Sequence, residues 1–125
     1  MGERIESHKQ LKVYQISYKK AMDIFYLTGK YPPEERYSLT DQIRRSSRSV
    51  PANIAEAFRK RRYEKAFIAK LSDAEAEAAE TQVWLDFSRD CGYIFESGYN
   101  ELYDSYDQIL RMIVSMIHNS DKWIL

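Results

Sequence analysis

The chain has 125 residues, 44% of them hydrophobic and 30% charged, with 19 Lys/Arg balanced by 19 Asp/Glu. That length fits one domain with a modest core, and no apolar run approaches the roughly 18 residues of a membrane span. The formal net charge of zero argues against a generic nucleic-acid binder, and the lone Cys91 excludes an intrachain disulfide or a cysteine-based zinc cluster. The opening MGERIESHKQ is charged and lacks the apolar stretch of a signal peptide, and Glu6 stands where a myristoylation signal needs Ser or Thr. A soluble cytoplasmic protein is expected.

A first helix is predicted over about 11–28. Leu11, Tyr14, Tyr18, Met22 and Phe25 share one apolar stripe, and Val13, Ile16, Ile24 and Leu27 share a second, weaker one broken by Lys20. A monomeric bundle needs one such face, so the second suggests an additional contact. Gly29 suits the helix terminus, and Pro32-Pro33 prevents continuation.

The second helix, about 38–58, opens on Ser38-Leu-Thr-Asp41, a capping-box pattern. Leu39, Ile43, Val50, Ile54 and Ala57 fall on one side, and Arg44, Arg48, Arg59 and Arg62 on the other. Pro51 lacks a backbone donor and presses on the carbonyl of Ser47, so a kink is expected there. Ser46, Ser47 and Ser49 are available to freed backbone groups.

The third helix, about 63–91, carries Phe67, Leu71, Ala74, Ala78, Thr81 and Leu85 on a narrow stripe whose small middle invites close helix approach. Gly92 ends it. The fourth, about 97–118, shows Leu102, Tyr106, Ile109, Ile113 and Ile117, thickened by Leu110 and Met116. Long amphipathic helices on short connections predict a single all-α domain over 1–125, an antiparallel up-and-down four-helix bundle with helix two kinked at Pro51.

Residues for catalysis are sparse. His8 and His118 lie near opposite ends of the chain and belong to no HExxH or ExxH pattern, four glycines make no phosphate-cradling loop, and no nucleophile elbow surrounds a serine. Asp73, Glu77 and Glu80 share a helix face without a histidine, which reads as a solvated or ion-paired surface. Cys91 at a helix C-terminus reads as buried or inert, since the helix dipole disfavours a thiolate there. Most of the ten tyrosines, Tyr14, Tyr18 and Tyr106 among them, read as core or interface. No enzyme, metal or cofactor is expected.

Charge is segregated along the chain. Residues 36–62 hold eight Arg/Lys against two acids, a net +6, whereas residues 63–107 hold three against eleven, a net −8. Arg44, Arg45, Arg48, Arg59, Lys60, Arg61 and Arg62 are the candidate phosphate ligands. The alternative is that they pair with the acidic third helix, in the same subunit or a neighbour.

Tyr37-Ser-Leu-Thr-Asp-Gln-Ile-Arg-Arg45 and Ser49-Val-Pro-Ala-Asn-Ile-Ala-Glu56 resemble the YGLTxQIRRAAxSIPxNIAEG pattern of the bacterial four helix bundle, or 23S rRNA-intervening-sequence, proteins. Leu11-Lys-Val-Tyr-Gln15, Tyr26-Leu-Thr28, Glu80-Thr-Gln82 and Gly92-Tyr-Ile94 support it in order. Ser38 and Ala57 replace family glycines, and Arg48 replaces a small or apolar residue. The resemblance implies an up-and-down bundle assembled as a homopentamer, with Pro51, Asn53, Ile54 and Glu56 as an architectural motif. The related accessory variability proteins of diversity-generating retroelements use a basic surface on nucleic acid and a reverse transcriptase, which implies RNA or DNA, and a reverse-transcriptase-like protein, as partners. Only Arg44 and Arg45 carry this over by motif; Arg48 and Arg59–Arg62 rest on charge. The resulting expectation is a non-enzymatic homo-oligomer binding nucleic acid through helix two. Its alternative is a structural or protein-interaction module whose charges pair between subunits.

Overall fold

The computed structural model describes residues 4–125, which form four α-helices and no strand: α1 (Lys12–Thr28), α2 (Leu39–Arg59), α3 (Glu64–Asp90) and α4 (Glu96–His118). Short 3-10 turns lie at His8–Gln10, Pro33–Glu35 and Ser120–Lys122. Helices adjacent in sequence pack together, most extensively α2 on α3, and α1 closes the ring against α4 over the smallest contact. Short links between such neighbours give the helical bundle that periodicity predicts.

The inward faces of α2, α3 and α4 follow their sequence stripes. Ile43, Val50, Ile54 and Ala57 from α2 meet Phe67, Leu71, Ala74, Ala78 and Leu85 from α3, all fully enclosed. Tyr106, Ile109 and Ile113 of α4 complete that core. Alanine at 74 and 78 lets α3 lie close to its neighbours. A hydrogen bond of 2.8 Å between the hydroxyls of Thr81 and Ser46 ties α3 to α2 inside the contact. Toward α4, Gln82 Nε2 donates to Asp107 Oδ1 at 2.8 Å.

Helix α1 departs from its strongest stripe. The buried positions are Val13, Ser17, Ala21, Ile24 and Thr28, whereas Tyr18 is exposed and Tyr14, Met22 and Phe25 are only half-buried. Three of the five inward positions hold small side chains, and three large rings would not fit between closely packed helices. Tyrosine and phenylalanine therefore sit on the outer flank of α1, facing α2.

Two termini differ in detail from their sequence signals, and a third follows its signal. Ser38 makes no side-chain cap on α2; the Leu39 amide donates instead to Glu35 Oε1 at 3.3 Å, because the Pro33–Glu35 turn delivers that carboxylate. Gly29 stays in the right-handed region at the end of α1. At the end of α3, Gly92 adopts φ 78°, Tyr93 N donates to Ser88 O (2.9 Å) and Gly92 N to Arg89 O (3.0 Å), the paired bonds of a Schellman motif. Cys91, beside it, is exposed rather than buried.

Helix α2 runs unbroken through the buried Pro51. Ser47 Oγ donates to Arg44 O (3.2 Å) and Ser49 Oγ to Arg45 O (2.9 Å), one turn before the Ser47 carbonyl that Pro51 frees. Asn53 Nδ2 donates to Ser49 O at 2.8 Å, bridging the turn that contains the proline. The architectural block thus works largely through backbone contacts made by short polar side chains.

Candidate nucleic-acid interface

The seven basic residues of α2 and its following turn separate into two structural groups. Arg44 points into the fold. Its Nε donates to Thr28 Oγ1 at 2.8 Å, its Nη2 donates to the Phe25 carbonyl at 3.3 Å, and its guanidinium lies 4.7 Å from the centre of the Phe25 ring. Thr28 in turn donates to the Ile24 carbonyl at 2.7 Å. Arg44 therefore caps the last turn of α1, where carbonyls lack helical partners and the dipole favours a cation.

Arg61 is also committed. Its Nε donates to the Phe58 carbonyl at 2.9 Å and its guanidinium stacks 3.7 Å from the Phe58 ring centre. Burial, with a smaller contribution from the Arg59 charge, lowers its pKa from the ordinary arginine value. The Leu125 amide donates to the Arg61 carbonyl at 3.1 Å, so both ends of this residue hold the turn between α2 and α3.

Arg45, Arg48, Arg59, Lys60 and Arg62 are exposed, and none forms an ion pair among the described residues. Arg48 leans on the outer flank of α1, 5.8 Å from the Phe25 ring centre. On a 100° wheel Arg45, Arg48 and Arg59 lie within about 60° of one another on the outward face. Ala52, exposed between them, leaves the face low enough for a backbone to approach. Arg45 and Arg59 are about 21 Å apart along the axis at 1.5 Å per residue. The face thus presents two basic clusters, Arg45 and Arg48 toward the middle of α2 and Arg59 with Lys60 and Arg62 at its C-terminal end.

Several acids of α3 are engaged elsewhere. Lys70 sits 3.7 Å from Glu56 and 4.0 Å from Asp73, the one ion-pair link between α2 and α3 among the described residues, and there the α2 partner is the acid. Glu80 accepts a hydrogen bond from the Trp84 indole at 3.1 Å. Among the described residues no three His, Cys, Asp or Glu converge as a metal site would require, and no helix is long and apolar enough to cross a membrane. The sequence alone does not distinguish the inward Arg44 from the outward Arg45. The discriminating signal is the pairing of Arg44 with Thr28 and Phe25, which lie on another helix.

A family profile described as 23S rRNA-intervening sequence protein matches residues 9–115, spanning all but the ends of the bundle. No curated protein matches the chain. Among solved structures, a protein of unknown function from the S23 ribosomal protein family of Bacteroides thetaiotaomicron is similar, with 31% identity and a TM-score of 0.77. The match covers 85% of this chain and 95% of that one. With the Pro51 block, the helical order and the profile agreeing across most of its length, the chain belongs to the 23S rRNA-intervening sequence protein family.

Proposed function

We propose that this protein is a non-enzymatic homo-oligomeric bundle that binds RNA or another nucleic acid through the outer face of α2. The observation that carries this reading is the set of five exposed cations, Arg45, Arg48, Arg59, Lys60 and Arg62, left without carboxylate partners among the described residues. They act by neutralising phosphates and releasing counterions, which gives affinity with little base readout. Arg44 and Arg61 act as braces that hold the α2 face in place. In this reading a kink at Pro51 aims the two halves of α2, and a pentameric ring repeats the face so that weak sites add through avidity. The protein is read as cytoplasmic, and a reverse-transcriptase-like protein is the partner that family resemblance implies.

Filter binding of a structured RNA at rising salt tests this. Five phosphate contacts give a log–log salt slope of at most about −4.5 per protomer on a duplex, and the Arg45→Ala/Arg48→Ala variant lowers that slope by about 2. Absence of binding at low salt, or an unchanged slope in the variant, refutes the reading.

A second reading is favoured by the outer face of α3. There Val83 and Phe87 are exposed beside the half-buried Glu80, an apolar and acidic surface suited to the basic face of a neighbouring copy. Under that reading the protein is an interaction module without nucleic acid, and the same arginine substitutions reduce its mass in light scattering after size exclusion.

A further inference from the structure

The geometry points to single-stranded nucleic acid as the ligand of this face, with phosphates on arginine and bases stacked on tyrosine. This deepens, and rests on, the nucleic-acid reading above. Four tyrosines are more than half exposed: Tyr18 (53%), Tyr26 (67%), Tyr37 (86%) and Tyr63 (68%). Each adjoins the basic segment. Tyr37 follows Arg36, whose guanidinium lies 6.0 Å from its ring centre, and Tyr63 follows Arg62. Tyr18 lines a recess of about 220 Å³ with Met22, Arg48 and Pro51. Tyr26 meets Phe25 edge-on at 5.3 Å, and Phe25 is the ring that carries both Arg44 and Arg48.

Beyond Tyr63 at its boundary, the acidic part of the chain exposes different rings, Phe87 and Phe95, and its remaining tyrosines are buried or half-buried. Tyr99 donates to Asp86 and Tyr93 to Glu35, so their hydroxyls are used internally. The exposed rings beside the arginines keep a flat apolar face and a polar tip in water, the combination that stacks on a base without reading it.

The aromatic row also has direction. His8, Tyr14 and Tyr18 follow one another at ring spacings of 4.8 and 5.9 Å along the flank of α1 beside α2. Tyr26 lies eight residues beyond Tyr18, about 12 Å further along the axis and turned about 80° further toward solvent, at the outer edge of this flank. A duplex cannot use this row, because its bases are already stacked on one another. An unpaired strand laid along the α1–α2 groove meets both the rings and the cations.

Fluorescence anisotropy at about 50 mM salt tests this with labelled 12-mers, a length of about that in known single-strand sites. The probes are single-stranded DNA, single-stranded RNA, the corresponding duplex and an abasic strand. Single strands of DNA, RNA or both are expected to bind more tightly than duplex or abasic strand. Tyr18→Ala/Tyr26→Ala is expected to lose about 5-fold or more per stacked base on the single strand and little on the duplex, with Tyr18→Phe/Tyr26→Phe retaining affinity. If abasic and normal strands bind alike, or the alanine variant binds like wild type while Arg45→Ala/Arg48→Ala is weakened, stacking is overturned and phosphate binding stands. If no probe binds the wild type, both fall. If the alanine variant instead loses mass in light scattering, the tyrosines belong to a subunit interface and the inference is overturned.

Discussion

Replacing Arg44 by alanine separates architecture from binding within one pair of adjacent arginines. The substitution removes two hydrogen bonds from a charged donor to the C-terminal turn of α1, at 2.8 and 3.3 Å, and a ring contact at 4.7 Å. A hydrogen bond to a charged group contributes about 1.5–3 kcal/mol, and a partly exposed cation–ring contact about 0.5–1 kcal/mol. Thr28 keeps its own bond to Ile24, and water reaches the half-buried site, so these values do not sum in full. The expected net loss is about 2 kcal/mol. At a urea dependence of about 1–3 kcal/mol/M this moves the midpoint down by about 1 M. Arg45→Ala, with no internal contact, is expected to change stability by less than about 0.5 kcal/mol. Arg44→Lys restores the charge but not the fork that reaches two acceptors, and recovers about half. Urea unfolding followed by far-UV circular dichroism, at one protein concentration for all variants, measures this. Equal midpoints for Arg44→Ala and Arg45→Ala refute the bracing role.

Tyr106 is fully buried with no hydrogen-bond partner for its hydroxyl among the described residues. Tyr106→Phe is therefore expected to be neutral or to stabilise by about 1 kcal/mol in the same unfolding assay, and a loss of that size contradicts the orphan assignment. Gly92 sits at φ 78° with open space where a Cβ would go, so Gly92→Ala pays for backbone strain alone, about 1–2 kcal/mol, and Gly92→Asn loses less. Tyr93 and Tyr99 are both pushed up to about 12, Tyr93 first by its bond to Glu35 and Tyr99 first by burial and then by Asp86. The unfolded chain releases these protons near the ordinary tyrosine value of about 10, before the folded chain does. The stability from these groups is thus full below pH 10 and lost as pH rises from about 10 to about 12. Urea midpoints across that range should fall, and the fall should be shallower in Tyr93→Phe and Tyr99→Phe; parallel curves contradict the assignment.

The legible parts of the fold are those in which one apolar face has no rival. Helices α2 and α3 each carry a single stripe opposite a charged side, and every residue of both stripes is buried. Helix α1 carries two, and periodicity ranks them by apolar size, favouring Tyr14, Tyr18 and Phe25. Space decides otherwise: the inward positions admit Ser17, Ala21 and Thr28, and a serine hydroxyl can be buried because Ser17 Oγ donates to the Tyr14 carbonyl at 3.1 Å. The N-terminus of α2 fails for a related reason, since a cap read from Ser38 ignores a carboxylate brought back by the turn before it. Within the basic cluster, charge counting finds the segment. The contacts that make Arg44 and Arg61 internal come from Phe25, Thr28 and Phe58, which local charge does not record.

The error on α1 and the tyrosine row share one physical origin. Because small residues face inward on α1, its large rings are displaced to the flank that adjoins α2, and the arginines of α2 project to that same flank. Arg44 fixes the register between the two helices by bonding across them, which places Arg48 against Phe25 and beside the recess that Tyr18 lines. This row of rings adds to the core only through Tyr14, and it lies next to cations without ion pairs among the described residues. Loosening the brace should therefore disturb the surface as well as the fold. In Arg44→Lys, which is expected to remain folded with its charge intact, single-strand affinity should fall while affinity for duplex, which needs only the phosphate charges, stays near wild type. No fall for either ligand would mean that Arg44 contributes charge alone, and an equal fall for both would mean that the brace holds the cations rather than the rings; either result would detach the ring alignment from the brace.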